Sequence, residues 1–219
     1  MELTTEQINE NFEKFISLLE TNVKREGVDK LIKWFRAKDT KIAPASTKYH
    51  CAFAGGLIYH CLNVYNRLKR LIAMEYPTMV VDENGEMKQV ENACPYDEET
   101  ITIVALLHDI SKVEFYEIQE RNAKNEKGEW IKVPFYSVRD ESQRLIFDTH
   151  PVNSYYMITK FIGLKYEEEL AIVHHEGAFD TGLDGIKLAN VMNAYKRSPL
   201  GLLLHQADML ATCIDEVEA

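Results

Sequence analysis

The hydrophobic positions of this chain recur mainly at the three- and four-residue spacing of α-helices. The spacing predicts a first helix that starts with a capping pattern at Thr4 and ends near Gly27. A short second helix follows over 28–35, where apolar residues again share one face. Pro44 and its small polar neighbours then interrupt the pattern, so residues 38–50 are predicted to form a loop.

Longer helices are predicted in the rest of the chain. Gly55-Gly56 precedes a helix on which His60 lies on the apolar, buried face. A helix from Glu98 to about Lys112 is apolar on nearly every side, which predicts a central position. Further helices are predicted at 141–162, at 166–176, at 186–196 and after Ser198-Pro199.

Two segments depart from the helical spacing. Turn signals over 76–97 predict a surface loop with room for a small hairpin. Residues 115–121 are strand-like, 122–128 form a polar turn region, and 130–138 alternate between apolar and polar positions. Together they predict an all-α bundle with a β-hairpin insertion at about 115–138.

The composition matches that of a soluble globular protein, with 46% hydrophobic and 27% charged residues. A net charge of −10 and a pI near 5.2 argue against a broad basic surface for duplex DNA or an anionic membrane. No signal peptide is evident, and no apolar run approaches the roughly 20 residues of a membrane span. The four cysteines lack a Cys-x-x-Cys pattern and are interpreted as reduced thiols, so a cytoplasmic protein is expected.

Histidines and aspartates inside or directly after apolar runs carry the candidate chemistry. His108-Asp109, His174-His175 and Asp208 each follow such a run. A carboxylate on an apolar helix costs free energy unless it is paired, protonated or bound to metal. A lone His-Asp pair would more often be a core histidine beside a surface aspartate. Here separate predicted helices each supply one or two groups, as in bundle metal sites, so one shared cation site explains the set best.

The order of histidines and aspartates along the chain resembles that of the HD-domain superfamily of metal-dependent phosphohydrolases. The resemblance covers about residues 48–214 and implies an α-helical bundle, in agreement with the helices predicted from hydrophobic spacing. The stretches that carry it are Gly55-Gly56-Leu57-Ile58-Tyr59-His60, Leu106-Leu107-His108-Asp109-Ile110-Ser111-Lys112, Thr149-His150, His174-His175-Glu176 and Leu204-His205-Gln206-Ala207-Asp208. The ordered set is specific for the superfamily and says little about the substrate.

The resemblance implies one or two divalent metal ions as cofactors. The implied ligands of the first ion are His60, His108, Asp109 and Asp208. Those of the second are Asp109 as a bridge, His150, and one or both of His174 and His175. Mixed histidine and aspartate ligands leave Mn, Fe, Ni, Mg and Zn open. Two ions about 3.5–4 Å apart can bind a bridging water and clamp a phosphate, so Asp109 is also a candidate catalytic residue.

Three further residues are candidates for catalysis or substrate binding. Lys112 is expected on the same side as Asp109, as a phosphate clamp or leaving-group partner; the alternative is a solvated lysine at a helix end. His50 precedes the Gly-Gly pair and could touch substrate or act as general acid, although it could equally be a surface histidine. Its neighbour Lys48 is a candidate for substrate binding.

Motifs typical of individual subfamilies disfavour some activities of the superfamily for this chain. The chain lacks a Gly-Tyr-Pro element and has no Glu-Asp pair after His108-Asp109, which disfavours cyclic-di-GMP phosphodiesterases and guanosine-tetraphosphate hydrolases. Residues 49–60 resemble the catalytic domain of bacterial 3′-to-5′ exoribonucleases of the HD type. The hairpin resembles small HD proteins of bacteria and their phages.

We therefore expect a phosphohydrolase that acts on a nucleotide or short oligonucleotide phosphoester through a metal-activated water. The alternatives are an exoribonuclease-like nuclease, a non-catalytic nucleotide- or metal-binding module, and a structural protein with a closed metal site.

The expected organisation is a single HD-type domain over 1–219. It would comprise N-terminal helices at 1–47, a metal-site core at 48–214 and the inserted hairpin at 115–138. The expected partner is a small phosphorylated substrate, a nucleotide in the favoured interpretation, with neither duplex DNA nor a membrane bound and with a homo-oligomer left open. The hairpin is expected to flank the site and to shape substrate access or a dimer contact.

Overall fold

The computed structural model describes residues 2–90, 94–144, 148–180 and 184–217. Within these ranges the chain forms eight α-helices and two β-hairpins. The helices are α1 (Thr5–Asn22), α2 (Val28–Ala37), α3 (Gly56–Glu75), α4 (Glu98–Leu107), α5 (His150–Thr159), α6 (Tyr166–Val173), α7 (Gly185–Arg197) and α8 (Pro199–Leu210). The strands are β1 (Met79–Val81), β2 (Met87–Gln89), β3 (Tyr116–Lys124) and β4 (Trp130–Val138). The predicted helical bundle with a hairpin insertion is confirmed.

The start of α1 is capped as its sequence predicts, but its end is not where the glycine suggests. The Thr4 hydroxyl accepts a hydrogen bond from the Gln7 amide at 3.2 Å, and the Gln7 side chain accepts one from the Thr4 amide at 2.9 Å. The helix then stops at Asn22, before Gly27. Gly27 has φ +93° and leads into α2, and a Cβ there would lie 1.9 Å from the carbonyl oxygen of Phe161. Glycine is therefore needed for close packing at this connection.

Helices α3 and α4 form the centre of the bundle, and both pack against α1. Helix α8 packs on α3, and α6 packs on α4 and α8. His60 is buried on α3 beside the core residues Leu57 and Val64, as predicted. Residues 103–107 of α4 are fully buried, so the central position predicted for this helix is confirmed.

Helix α4 is shorter than predicted, because it ends at Leu107 instead of continuing to about Lys112. His108 turns its Nδ1 back to donate to the carbonyl oxygen of Ala105 at 2.9 Å. Asp109 then leaves the helical conformation, with φ −111° and ψ 13°, and a 3₁₀ turn follows at Ile110–Lys112. Buried side-chain hydrogen bonds end this helix, and hydrophobic spacing does not report them.

The helix predicted over 141–162 also begins later, at His150. Residues 141–143 form a 3₁₀ turn, and 145–147 lie outside the described residues. Pro151 stands in the first turn of α5, where its fixed φ suits a helix start and not a helix interior. Helix α6 ends at Val173, so His174 and His175 follow it in a turn instead of completing the helix predicted to residue 176.

Both hairpins are antiparallel, and the larger one is anchored at its base. Strands β3 and β4 pair from Tyr116 opposite Val138 to Lys124 opposite Trp130. The Asp39 carboxylate accepts from the Glu114 amide at 2.7 Å and from the Arg139 guanidinium at 3.0 Å. Asp39 thus ties both ends of the hairpin to the segment after α2. The smaller hairpin, β1–β2, lies in the segment predicted as a loop with room for one.

A buried ion pair joins the helices that lead to the histidines. The Glu168 side chain at the start of α6 is fully buried. It accepts two hydrogen bonds of 2.6 Å from Arg25, which follows α1, and one of 2.8 Å from the hydroxyl of Thr100 in α4. This network fixes α6 relative to α4, and these two helices lead to His175 and His108.

We predict that Arg25→Met lowers the free energy of unfolding by roughly 3 kcal/mol, because it leaves the Glu168 carboxylate buried without its cation. Arg36→Met is the matched control, since Arg36 also holds a carboxylate with two bonds but its pair with Glu13 is exposed. The control is expected to cost less than about 1 kcal/mol. Urea denaturation measures both values, and equal losses would contradict the structural role assigned to the buried pair.

Candidate metal centre

Six imidazole and carboxylate side chains converge in the interior of the bundle. They come from α3, from the turn after α4, from the first residue of α5, from the turn after α6 and from α8. They are His60, His108, Asp109, His150, His175 and Asp208. Their donor atoms form overlapping groups, and all donor atoms of one group lie within 4.8 Å of one another. Residues between positions 60 and 208 therefore meet at one place in the fold.

The two carboxylate oxygens of Asp109 face two different pairs of imidazoles. Oδ2 lies 3.7 Å from Nε2 of His60 and 3.6 Å from Nε2 of His108. Oδ1 lies 3.3 Å from Nε2 of His150 and 3.6 Å from Nε2 of His175. A carboxylate that presents one oxygen to each of two donor sets has the arrangement of a group that bridges two cations.

Asp208 completes the donor set on the α3 side. Its Oδ1 lies 3.3 Å from Nε2 of His60, and its carboxylate also groups with His108 and His175. Its side chain is 16% exposed, whereas that of His60 is 1% exposed. Asp208 therefore lies on the solvent-facing side of the centre.

Backbone carbonyls orient two of the histidines. Nδ1 of His108 donates to the carbonyl oxygen of Ala105 at 2.9 Å, and Nδ1 of His175 donates to that of Ile172 at 2.7 Å. Because a carbonyl oxygen can only accept, these bonds place the proton on Nδ1. The Nε2 lone pairs of both rings are thereby directed at Asp109 and its neighbours, as metal-binding imidazoles require.

Glu216 orients the third histidine, and sequence reasoning missed this residue. Nδ1 of His60 lies 3.0 and 3.1 Å from the two carboxylate oxygens of Glu216, which also accept from Asn63 at 3.1 Å. The sequence between Asp208 and Glu216 passes through a π-helical turn at Ala211–Asp215. Because of this turn, the position of Glu216 does not follow the helical spacing of α8. Its contact with His60 therefore could not be predicted from that spacing.

Glu176 was part of the matched stretch His174-His175-Glu176 but received no role from the sequence. Its Oε1 lies 3.2 Å from Nε2 of His150 and 4.0 Å from Nε2 of His175. Nearby, Nδ1 of His205 donates to the carbonyl oxygen of His175 at 2.7 Å, which fixes the turn that carries this imidazole. The contact of Glu176 depends on α6 ending at Val173, whereas a supporting or core position for His205 is what its sequence neighbourhood predicts.

The centre holds more negative than positive charge. The carboxylates of Asp109, Asp208, Glu176 and Glu216 lie at the centre or against its histidines, whereas the centre has one ammonium group, that of Lys112. Burial disfavours the charged imidazole, but Glu216 and Asp208 outweigh it and raise the pKa of His60 to about 10. These carboxylates therefore attract positive charge strongly enough to hold a proton on an imidazole that is buried.

Burial and neighbouring charges also shift the pKa values of His150, His108 and Asp109. Burial alone would lower the pKa of His150, but Asp109 and Glu176 raise it to about 9. For His108, burial is the largest cause and lowers the pKa to about 4. The ring is therefore neutral, and the lone pair of its Nε2 can bind a cation. Although burial opposes ionisation of Asp109, Lys112 and His108 hold its pKa well below the usual range.

The donor set fits divalent metal ions. Nε2 of His108 and Oδ1 of Asp109 are buried atoms without a well-formed hydrogen bond in the part of the chain that the structure describes. Neutral imidazole nitrogens and carboxylate oxygens suit borderline and hard divalent cations. A cation at this position would satisfy these atoms and balance the surplus of carboxylates. Among the six converging side chains, the donor groups are His60, His108 and Asp109; His108, His175 and Asp208; and Asp109, His150 and His175, so they offer room for more than one ion.

Lys112 and His50 lie at this centre. Nζ of Lys112 donates to Oδ2 of Asp109 at 2.6 Å, on the side where the sequence places it. The His50 ring lies 4.9 Å from that of His60, and its Nε2 has no hydrogen-bond partner among the residues described. Burial, followed by the neighbouring charge of His60, lowers the pKa of His50.

The structure does not bring His174 and Lys48 into the cluster. His174 lines a separate cavity beside Asp148 and Thr149, and its carbonyl oxygen accepts from the Tyr195 hydroxyl at 2.9 Å. Adjacent residues in the turn after α6 thus point to different sides, so the ligand role predicted for His174 has no support in the geometry. Lys48 places its ammonium 5.2 Å from the ring centroid of Tyr49 and lines a cavity at the β3–β4 hairpin.

A cavity of about 460 Å³ gives access to the centre. It reaches Asp109 and Asp208 directly, and the His150 side chain is 31% exposed. The residues that line it are Tyr49, His50, Asp109, Lys112, Glu176, Phe179, His205, Asp208, Met209 and Thr212. The cluster is therefore open on one side and is not a closed structural site.

Comparison with known protein families places the chain in a family. The family model described as HD domain matches residues 57–213, which include all six converging side chains. Neither the curated proteins nor the solved structures contain a significant match to the chain. Among the described residues, no helix is both long and apolar enough to span a bilayer.

We predict that His150→Ala lowers the number of Mn²⁺ ions bound at saturation from two per chain to one. The variant removes a donor from the group formed with Asp109 and His175 and leaves the group at His60 intact. His174→Ala is the matched control, because it removes a neighbouring imidazole that lines a different cavity. Metal analysis after dialysis gives the two stoichiometries, and a loss of one ion in the control alone would reverse the assignment.

We predict that Glu216→Gln weakens Mn²⁺ binding by about 10- to 100-fold, because the carboxylate that orients the His60 ring and raises its basicity is lost. Asp215→Asn is the control, since Asp215 is the adjacent residue and pairs with Arg67 at the surface. Titration calorimetry measures both affinities. If the two variants bind Mn²⁺ equally well, Glu216 does not support the metal centre.

Proposed function

Because the chain belongs to the HD domain family, we propose that it is a metal-dependent phosphohydrolase acting on a nucleotide or on the phosphodiester end of a short oligonucleotide. The observation that carries this proposal is the arrangement of Asp109, whose two oxygens face separate pairs of imidazoles. Such an arrangement suits a carboxylate shared by two cations, and paired cations are a common solution to phosphoester hydrolysis.

The proposed ligands come from the six converging side chains. His60, His108, Asp109 and Asp208 would hold one ion, and Asp109, His150 and His175 a second, which leaves out His174. When bound, the metal supplies a water of lowered pKa and a positive charge that polarises the phosphoryl oxygens. The imidazoles are neutral ligands, so the loaded centre keeps a net attraction for an anionic substrate.

Lys112 and His50 are the proposed substrate contacts at this centre. Both line the access cavity together with Asp109. The ammonium of Lys112 is buried and already lies against Asp109, so it is positioned to bind a phosphoryl oxygen placed beside that carboxylate. His50 lines the same cavity, and its Nε2 has no hydrogen-bond partner among the residues that the structure describes, which supports a hydrogen bond to the substrate.

Accessibility favours catalysis over a structural metal staple. A closed structural site surrounds its ion with protein ligands, whereas a catalytic site keeps a position open for water or substrate. Here Asp109 and Asp208 both line a cavity of about 460 Å³. That volume lies within the range of small-molecule sites and supports a nucleotide-sized substrate.

We predict that Asp109→Ala lowers the rate of Mn²⁺-dependent phosphoester hydrolysis by more than tenfold while the helical content stays close to that of the wild type. The carboxylate anchors both proposed ions, and a tenfold loss corresponds to only about 1.4 kcal/mol. Bis(p-nitrophenyl) phosphate and p-nitrophenyl phosphate serve as diester and monoester substrates, and circular dichroism reports the fold.

Asp29→Ala is the control for this experiment, because Asp29 is an exposed aspartate on α2, outside the metal centre. It should retain the wild-type rate. Activity of Asp109→Ala above one-tenth of the wild-type rate would rule out the bridging role. No hydrolysis of either substrate by the wild-type protein with Mn²⁺, Mg²⁺, Fe²⁺, Ni²⁺ or Zn²⁺ would instead favour the non-catalytic binding module.

A further inference from the structure

Three cavities follow one another along the segment 47–54, from the metal centre to the β3–β4 hairpin. The cavity at the metal centre shares Tyr49, His50 and Thr212 with a second cavity of about 430 Å³. The second cavity shares Ala52 and Phe53 with a third of about 490 Å³. Each cavity is comparable in volume to the one at the metal centre, so the row is longer than a single nucleotide needs.

The third cavity, which we call the hairpin cleft, lies between the 47–54 segment and the hairpin. Its charged side chains are Lys48, Arg121 and Glu2, so cations outnumber carboxylates in a chain whose net charge is −10. Its aromatic residues are Phe53, Phe135 and Tyr136. The Arg121 guanidinium lies 5.5 Å from the centroid of the Phe135 ring. Cations beside aromatic rings are the combination that binds single-stranded nucleic acids.

Arg121 differs from the other cations of the hairpin. Lys132 is paired with Glu120 at 3.1 Å. Lys124 lies over the Trp130 ring at 5.3 Å, at the end of the hairpin next to the turn, and does not line the cleft. Arg121 lines the cleft and has no ion pair within the described part of the chain. Its charge is therefore available to an anion that enters the cleft.

We infer that the hairpin cleft binds a nucleotide of a single-stranded oligonucleotide whose terminal phosphodiester lies at the metal centre. This inference rests on the proposed function and makes a short oligonucleotide, not a mononucleotide, the substrate class. Lys48 and Arg121 bind a backbone phosphate, and the aromatic residues of the cleft stack on a base. The hairpin thereby acquires a role, since it supplies one wall of the cleft.

The test compares phosphorothioate oligonucleotides of one, two, four and six residues, as RNA and as DNA, by titration calorimetry with the full chain and Mg²⁺, since the phosphorothioate linkage resists hydrolysis while the metal centre stays loaded. Affinity is expected to rise between two and four residues. Arg121→Ala is expected to weaken tetranucleotide binding about five- to tenfold, because it removes one charged contact to a backbone phosphate. It should also reduce the slope of log affinity against log salt by about 0.7, the value for one phosphate contact on a single strand.

Lys124→Ala is the matched control, because it removes a cation that also lies over an aromatic ring of the same hairpin. It should leave both the affinity and the salt slope unchanged. The inference is overturned if affinity does not depend on length, or if Arg121→Ala and Lys124→Ala behave alike. Equal affinity for RNA and DNA indicates recognition of phosphate and base alone, and a preference for RNA adds a contact to the 2′-hydroxyl; both support the cleft.

Hydrolysis assays separate failure of this inference from failure of the proposed function. With Mn²⁺, the ratio of kcat/KM for the tetranucleotide to that for bis(p-nitrophenyl) phosphate should fall about five- to tenfold in Arg121→Ala, matching the loss in binding. Hydrolysis of the small diester without any dependence on oligonucleotide length or on Arg121 overturns the cleft alone. Length-dependent binding without hydrolysis of any substrate overturns the proposed function and leaves the cleft as a binding site.

Discussion

The carboxylate of Asp109 is the group around which the interior of this protein is arranged. An ionised carboxylate in an apolar core is destabilising by several kcal/mol unless other groups compensate its charge. Here the compensation comes from Lys112 at 2.6 Å and from imidazoles that approach both oxygens. Because these groups arrive on separate helices, the packing of the bundle and the geometry of the centre cannot be changed independently.

A second layer of contacts keeps the imidazoles in place. Carbonyl oxygens of α4 and α6 hold His108 and His175, and the Glu216 carboxylate holds His60. The Arg25–Glu168 pair fixes the start of α6 to the rest of the bundle, at the opposite end of the helix from His175. The donors are therefore oriented by the fold before any cation binds, which reduces the reorganisation that binding requires.

Much of the fold could be predicted from the sequence because hydrophobic spacing reports which helix faces are buried. The burial of His60 follows from its place between Leu57 and Val64 on α3, and the hairpin follows from the alternation in 130–138. Spacing does not report where a side chain binds a carbonyl and ends a helix. For this reason the prediction extended α4 to Lys112, although the helix ends at Leu107 and Asp109 leaves the helical conformation.

The candidate site, like the fold, could be predicted from the sequence only in part. The order of histidines and aspartates identified the residues that meet, because metal donors inside apolar helices need a shared partner. The sequence favoured His175 over His174 because adjacent helical residues point about 100° apart, but the direction of each ring depends on the turn after α6. It gave no sign of Glu216, because a π-helical turn lies between that residue and α8. The direction of a side chain just beyond a helix, and the helical phase after an irregular turn, depend on tertiary contacts.

The wide separation of the converging residues along the chain has a consequence for folding. His60 and Asp208 come together only after the bundle has closed around most of the intervening sequence. An unfolded chain cannot present these donors together, because closing so long a loop is entropically unfavourable. A cation that binds the assembled centre therefore stabilises the completed fold relative to partly folded species. A higher concentration of that cation lowers the fraction of molecules in which the bundle is open.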